Sequence, residues 1–171
     1  MSIPTSVTPH PLTGESLPLT LGHEFCGRIK TAPEGSQLKV GQAVMIDPRH
    51  IDDTCSSCLI PATHACKQIG CIGVSGGGGG FAELCAVDQG FCYPIPEALL
   101  PDAALIEPLA VAWHALKVPE VKSYRGKRVL IIGGGPIGIA LIFALKHWRA
   151  DKIFVSEPTT MRRKQNGCET G

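Results

Sequence analysis

The glycines of Gly133-Gly-Gly135-Pro136-Ile137-Gly138 follow the apolar run Val129–Ile132, and this spacing suits one ligand class, a dinucleotide. Glycines there permit a tight turn and let the backbone approach a pyrophosphate, whose charge the N–H groups opening the next helix would hold. Acidic Glu157 follows at close to the separation of about 20 residues that the motif requires of its ribose-binding carboxylate. A carboxylate on the 2′-OH favours NAD, whereas Arg162 and Arg163, close behind, would suit the 2′-phosphate of NADP. The other reading of these glycines is a strand-to-helix turn without a ligand.

The chain has 8 cysteines, and cysteine-dense chains kept in a reducing compartment bind metal more often than they form disulfides. Cys55-x-x-Cys58 and Cys66 lie in a loop-like stretch, where thiolates two residues apart can converge on a tetrahedral zinc. Structural zinc sites are closed by a fourth ligand. Asp52 extends the series at the same spacing, with Asp53 and His64 as further candidates, and the alternative is a set of free thiols. Cys26, Cys71, Cys85, Cys92 and Cys168 lack such spacing and are expected as small buried hydrophobes.

His23 and Glu24 form a second metal candidate. Successive strand residues face opposite ways, so the pair needs a bend or a water to serve one ion. Glu107 precedes Pro108, which predicts a carboxylate just outside a helix, at its mouth. His114, further along, is expected to be packed or on the surface.

The positioning elements are short strands at 25–30, 43–47, 80–87 and 91–95, among Pro and Gly, then a helix over 105–118. A strand over 128–132, a helix over 137–148 and a strand over 152–155 follow, the first of them rich in Val, Leu and Ile as a strand buried on both faces is. The run Gly76–Gly80 precedes a strand rather than a helix and so predicts a flexible turn instead of a phosphate cradle.

A hydrophobic fraction of 44% with 18% charged residues places the chain among globular proteins large enough to bury a core. Net charge is +1, and Arg162-Arg163-Lys164 reads as a solvated cluster, so no nucleic-acid partner is expected. The N-terminal stretch lacks the pattern of a secretory signal, and no apolar run reaches the roughly 18 residues of a membrane span. The expectation is a soluble cytoplasmic protein without a membrane partner.

In order along the chain, Leu21-Gly-His23-Glu24-Phe25, Lys39-Val-Gly-Gln-Ala-Val44, the cysteine series, Glu107-Pro-Leu-Ala-Val-Ala-Trp-His-Ala115 and Gly133–Gly138 together resemble the zinc-containing medium-chain alcohol dehydrogenases, nearest to the butanediol and sorbitol dehydrogenase branch. The resemblance implies an α/β plus β fold: part of a GroES-like β-barrel catalytic domain over 1–105, then a linking helix and the first βαβ unit of a Rossmann NAD-binding domain over 106–171. It implies His23, Glu24 and Glu107 at a catalytic zinc, Asp52, Cys55, Cys58 and Cys66 at a structural zinc with Asp52 replacing a Cys, and Gly133, Gly135, Pro136, Ile137, Gly138 and Glu157 on NAD. The reaction implied is NAD-linked oxidation of a secondary alcohol, vicinal diol or polyol.

Some features depart from the family pattern. The family's Cys-Gly-x-Asp segment, which supplies a further catalytic zinc ligand, is not found between Met1 and Leu21, and the Rossmann repeat extends over a single βαβ unit. Gly-Cys-Glu-Thr-Gly at 167–171 does not read as a helix. A chain shortened at both ends, without the region through which family members oligomerise, is the expectation. The alternatives are an inactive fragment keeping at most a structural zinc loop, and a zinc-free quinone-type reductase.

Overall fold

The computed structural model describes residues 14, 18–60, 62–75 and 77–165. The expectations for the N-terminal stretch and for 167–171 lie outside them. The chain divides into two compact units, Met1–Ala104 and Leu105–Gly171.

The first unit holds short antiparallel strands β1 (Cys26–Arg28), β2 (Ala43–Ile46), β3 (Arg49–His50), β4 (Gly70–Cys71) and β5 (Cys92–Pro94). One sheet has the order β1-β2-β5, with Cys26 opposite Met45 and Met45 opposite Tyr93. It closes no barrel among the described residues. Alternation along β2 buries Val44 and Ile46, which with Ile72 form a core flanked by Phe25, Ile29, Leu38 and Val87. The pair β3–β4 sets Arg49 opposite Cys71 and His50 opposite Gly70, so it forms the neck from which the cysteine loop emerges.

The expected strand over 80–87 is absent. Backbone bonds from Gly79 N–H to Thr20, Gly80 N–H to Gly22 and Phe81 N–H to Leu21 tie its beginning to 20–22, and beyond it Phe81 and Leu84 are exposed while Val87 reaches the core, so no regular alternating face forms. Of the glycine run expected as a flexible turn, Gly79 and Gly80 are held against residues 20–22 by backbone hydrogen bonds. Cys26, Cys71, Cys85 and Cys92 are half-buried rather than core residues; of the described cysteines only Cys66 is buried. The side chains of Cys26 and Cys92 reach backbone carbonyls, at Leu100 and Asp88, which a purely apolar side chain would not do.

A 3-10 segment, Glu97–Leu105, precedes α1 (Ile106–Lys117). Glu107 therefore sits inside the first turn of α1 and not outside it: Pro108 is tolerated there because first-turn N–H groups need no intrahelical partner. Glu97–Lys117 is also a helical run of 21 residues, long and apolar enough by length and composition alone to cross a bilayer, where the sequence reading found no such run. Glu97, Asp102 and Glu107 interrupt it, and a carboxylate deep in a bilayer costs about 2.5–3.5 kcal/mol even on the mildest scale.

In the second unit β6 (Arg128–Ile132) pairs in parallel with β7 (Lys152–Ser156), and α2 (Pro136–His147) makes the crossover that parallel strands require. α1 packs on α2. Leu116, Tyr124, Ile131, Ala144 and Leu145 form the core, and the buried Tyr124 hydroxyl donates to the Leu116 carbonyl at 2.8 Å. Trp113 and Trp148 meet edge to face, 4.8 Å between centroids, against the same core. A short helix, α3 (Thr160–Gln165), ends the described chain.

Candidate metal and dinucleotide sites

The cysteine loop is built by local hydrogen bonds. Asp52 Oδ1 accepts from the N–H groups of Thr54 and Cys55, each at 2.7 Å, which starts the turn. The Cys55 carbonyl then accepts from Cys58 and Leu59 at 2.9 and 3.1 Å, winding one helical turn that brings the two Sγ atoms within 3.5 Å. A 3-10 turn over Thr63–Ala65 returns the chain so that Cys66 is buried against them. Donor atoms of Asp52, Cys55, Cys58 and Cys66 all lie within 4.8 Å of one another. Ligands on a tetrahedral zinc with Zn–S of about 2.3 Å stand about 3.8 Å apart, so the set fits the ion with little movement. Asp53 and His64 are exposed and outside this set.

The thiols of Cys55 and Cys58 are pulled in opposite directions. The Lys67 backbone N–H draws the Cys55 thiol down to about 7, while burial and the neighbouring thiols push Cys58 up to about 12, so one proton is held between the pair. The Cys55 and Thr54 N–H groups hold the Asp52 carboxyl below the usual carboxylate range. Thiolate ligation requires loss of those protons, so uptake will release them.

His23 and Glu24 lie in a bend just before β1, which supplies the change of direction that a straight strand would deny them. His23 Nε2 and Glu24 Oε1 are 3.9 Å apart and partly exposed, a separation one ion can bridge. Glu107 belongs to the second unit, in the first turn of α1, and His114 is exposed on the same helix.

In the glycine loop, Gly133 takes φ of +105°, which favours glycine, and its N–H closes the sheet onto Ser156 at 2.8 Å. Gly135 is the N-cap of α2 with no side-chain cap, and Pro136 opens the helix, so the first-turn N–H groups are left for a ligand. A Cβ on Gly135 would meet nothing nearer than Arg162 Nη1 at 4.0 Å; its lack of a side chain keeps the loop surface open. Gly138 differs: a Cβ there would overlap the Gly133 carbonyl. The Glu157 side chain is only 3% exposed. It accepts from Thr159 N–H at 2.7 Å and Gly134 N–H at 2.8 Å, and these bonds hold its pKa below the ordinary value.

The sequence placed Arg162 and Arg163 close behind Glu157 and also read them as part of a solvated cluster, without showing their bonds to the loop. Arg163 donates to the carbonyls of Glu157 and Pro158 and to Thr160 Oγ1, and Arg162 lies 3.8 Å from Glu157, so both are tied to the loop rather than merely solvated.

Three thiols and a carboxylate converge on the β unit, and a glycine turn beside a buried acidic residue lies on the βαβ unit, donor sets suited to a metal ion and to a dinucleotide. Residues 4–97 match the alcohol dehydrogenase GroES-like domain. The chain belongs to the zinc-containing medium-chain alcohol dehydrogenase family, in its butanediol and sorbitol dehydrogenase branch. It is 39% identical to (R,R)-butanediol dehydrogenase of Neisseria gonorrhoeae, over 99% of this chain and 47% of that protein. The crystal structure of 2R,3R-butanediol dehydrogenase from Bacillus subtilis superposes with a TM-score of 0.82 at 36% identity, covering 94% of this chain and 45% of that one. An Escherichia coli alcohol dehydrogenase complexed with NADH gives 0.76 at 30% identity, covering 86% and 44%. The chain thus spans less than half the length of these relatives.

Proposed function

We propose that this chain carries the metal-binding and phosphate-binding parts of an NAD-linked, zinc-dependent oxidoreductase that oxidises a secondary alcohol, vicinal diol or polyol in the cytoplasm. The observation that carries the reading is Glu157, buried at the mouth of the uncapped Gly133–Gly138 turn, in a chain 39% identical to a butanediol dehydrogenase. Gly135, Ile137 and Gly138 offer backbone N–H groups to the pyrophosphate, Gly133 and Pro136 shape the turn that exposes them, and Glu157 orients the ribose through its remaining lone pairs while bracing Gly134. Arg162, beside Gly135 and Glu157, neutralises phosphate charge.

His23 and Glu24 hold the substrate-side zinc, and Glu107 is the ligand that the family pattern adds. Bound there, zinc supplies a Lewis acid for the substrate oxygen. Asp52, Cys55, Cys58 and Cys66 hold a structural zinc that cross-links the loop. The partner is a small-molecule alcohol; neither nucleic acid nor membrane belongs to this function.

Calorimetry with NAD tests the reading. The chain binds NAD more weakly than the micromolar range, since it contributes two parallel strands of a fold that usually has about six, and Gly135→Val abolishes binding by closing the loop surface. Equal NAD binding by the unaltered chain and Gly135→Val would refute it. Joined to the flanking regions of a butanediol dehydrogenase, the chain oxidises butane-2,3-diol with NAD, and His23→Ala removes that turnover.

A further inference from the structure

We infer that Gly73, Gly79 and Gly80 are positioning residues for His23, forming a clasp around the Gly22 peptide from which His23 and Glu24 project. The functional meaning of the clasp rests on the reading of His23 as a metal ligand; its existence does not. Gly22 has φ of +106°, and its carbonyl accepts from Gly80 N–H at 2.8 Å. On either side, Thr20 accepts from Gly79 at 2.7 Å and Leu21 from Phe81 at 3.0 Å. Gly73 N–H donates to the Gly77 carbonyl at 2.7 Å and closes the run on itself.

Steric requirements are confined to particular glycines. An ideal Cβ at Gly73 or Gly79 would overlap the Gly22 carbonyl, and one at Gly80 would overlap the Phe25 side chain, all inside the 3.0 Å that real Cβ atoms respect. Gly78, in the same run, would meet only Thr20 Cβ at 3.9 Å. The Gly22 peptide is therefore gripped by backbone atoms, which cannot rotate away as side chains do. Metal ligands must be held within about 0.5 Å of their working positions, and His23 follows directly on the gripped residue. A displaced Gly22 carbonyl would carry the His23 ring with it.

Adjacent substitutions separate this role from general stability. The His23 ring resonances, assigned by their loss in His23→Ala, are followed by NMR in the full chain, in Gly78→Ala, in Gly79→Ala and in Gly73→Ala. The unaltered chain and Gly78→Ala give the same single set. Gly79→Ala and Gly73→Ala shift or split it, leave the Val44 and Ile46 methyl resonances in place, and require at least about tenfold more Zn2+ for the same His23 response. Identical His23 resonances in Gly78→Ala and Gly79→Ala would overturn the clasp. If Gly79→Ala does not fold, hydrogen exchange on the unaltered chain decides: the amides of Gly79, Gly80 and Phe81 exchange at least about tenfold more slowly than in an unstructured peptide, and unprotected amides would overturn it. If Zn2+ leaves His23 unmoved in the unaltered chain, the ligand reading fails, while the Gly78 and Gly79 contrast still decides the clasp.

Discussion

Gly138→Ala sets two effects of opposite sign against each other. Gly138 lies in the first turn of α2, where helix propensity alone makes Ala better than Gly by about 1 kcal/mol. Against this, the new Cβ would overlap the Gly133 carbonyl and stand 3.1 Å from its carbon. Gly133 cannot give way easily, since its N–H is bound to Ser156 at 2.8 Å and its positive φ fixes the turn. α2 must move instead, which disturbs the packing of Ala140, Ala144 and Leu145. Overpacking against fixed neighbours costs about 1–3 kcal/mol, and a hydrogen-bonded backbone atom places this site at the upper end. The net loss is about 2 kcal/mol, or a fall of roughly 8–16 °C in the Tm of a unit of this size. Both tryptophans, Trp113 and Trp148, belong to the core of the second unit, so urea unfolding followed by tryptophan fluorescence reads that unit selectively. A Gly138→Ala chain as stable as the original, or more stable, would refute the close-packing argument and leave propensity as the winner.

Glu157 gives the second unit an acid dependence of known sign. Its folded pKa lies below the ordinary 4.5, so its stabilisation is present above that value and disappears as the pH falls through the folded pKa; Glu157→Gln removes this part of the profile, which acid titration of tryptophan fluorescence measures. Leu145, with no exposed surface, fills the centre of the α1–α2 and sheet contact, and Leu145→Ala lowers the urea-unfolding free energy of the unit by about 2–5 kcal/mol.

The second unit was legible because its signals are local and agree with one another. An apolar strand, a glycine turn, an uninterrupted helix and a second strand give α2 and β7 boundaries within a residue of those expected. The β unit was less so. Its strands are two to four residues long and depend on partners distant in sequence, as with Cys26 against Met45 and Met45 against Tyr93, so residues 80–87 could show the composition of a strand and still find no ladder. In the cysteine series the spacing pointed to Cys55, Cys58 and Cys66 with Asp52, Asp53 or His64 as the fourth group, and the family resemblance singled out Asp52; the set was readable because the loop is wound by bonds between near neighbours. The clasp on Gly22 was hidden, since it joins residues some fifty positions apart. Glu107 was misplaced because the rule that a residue before proline avoids helical geometry yields in a first turn, where the missing N–H costs nothing.

The most direct measurement of the central claim, that this chain retains the metal chemistry of its family, is the zinc content of the purified protein after dialysis, with and without Cys58→Ala. Close to one tightly held zinc per chain is expected at Asp52, Cys55, Cys58 and Cys66, with its loss in Cys58→Ala. A chain that carries no zinc, or a Cys58→Ala chain that retains as much as the original, would contradict it.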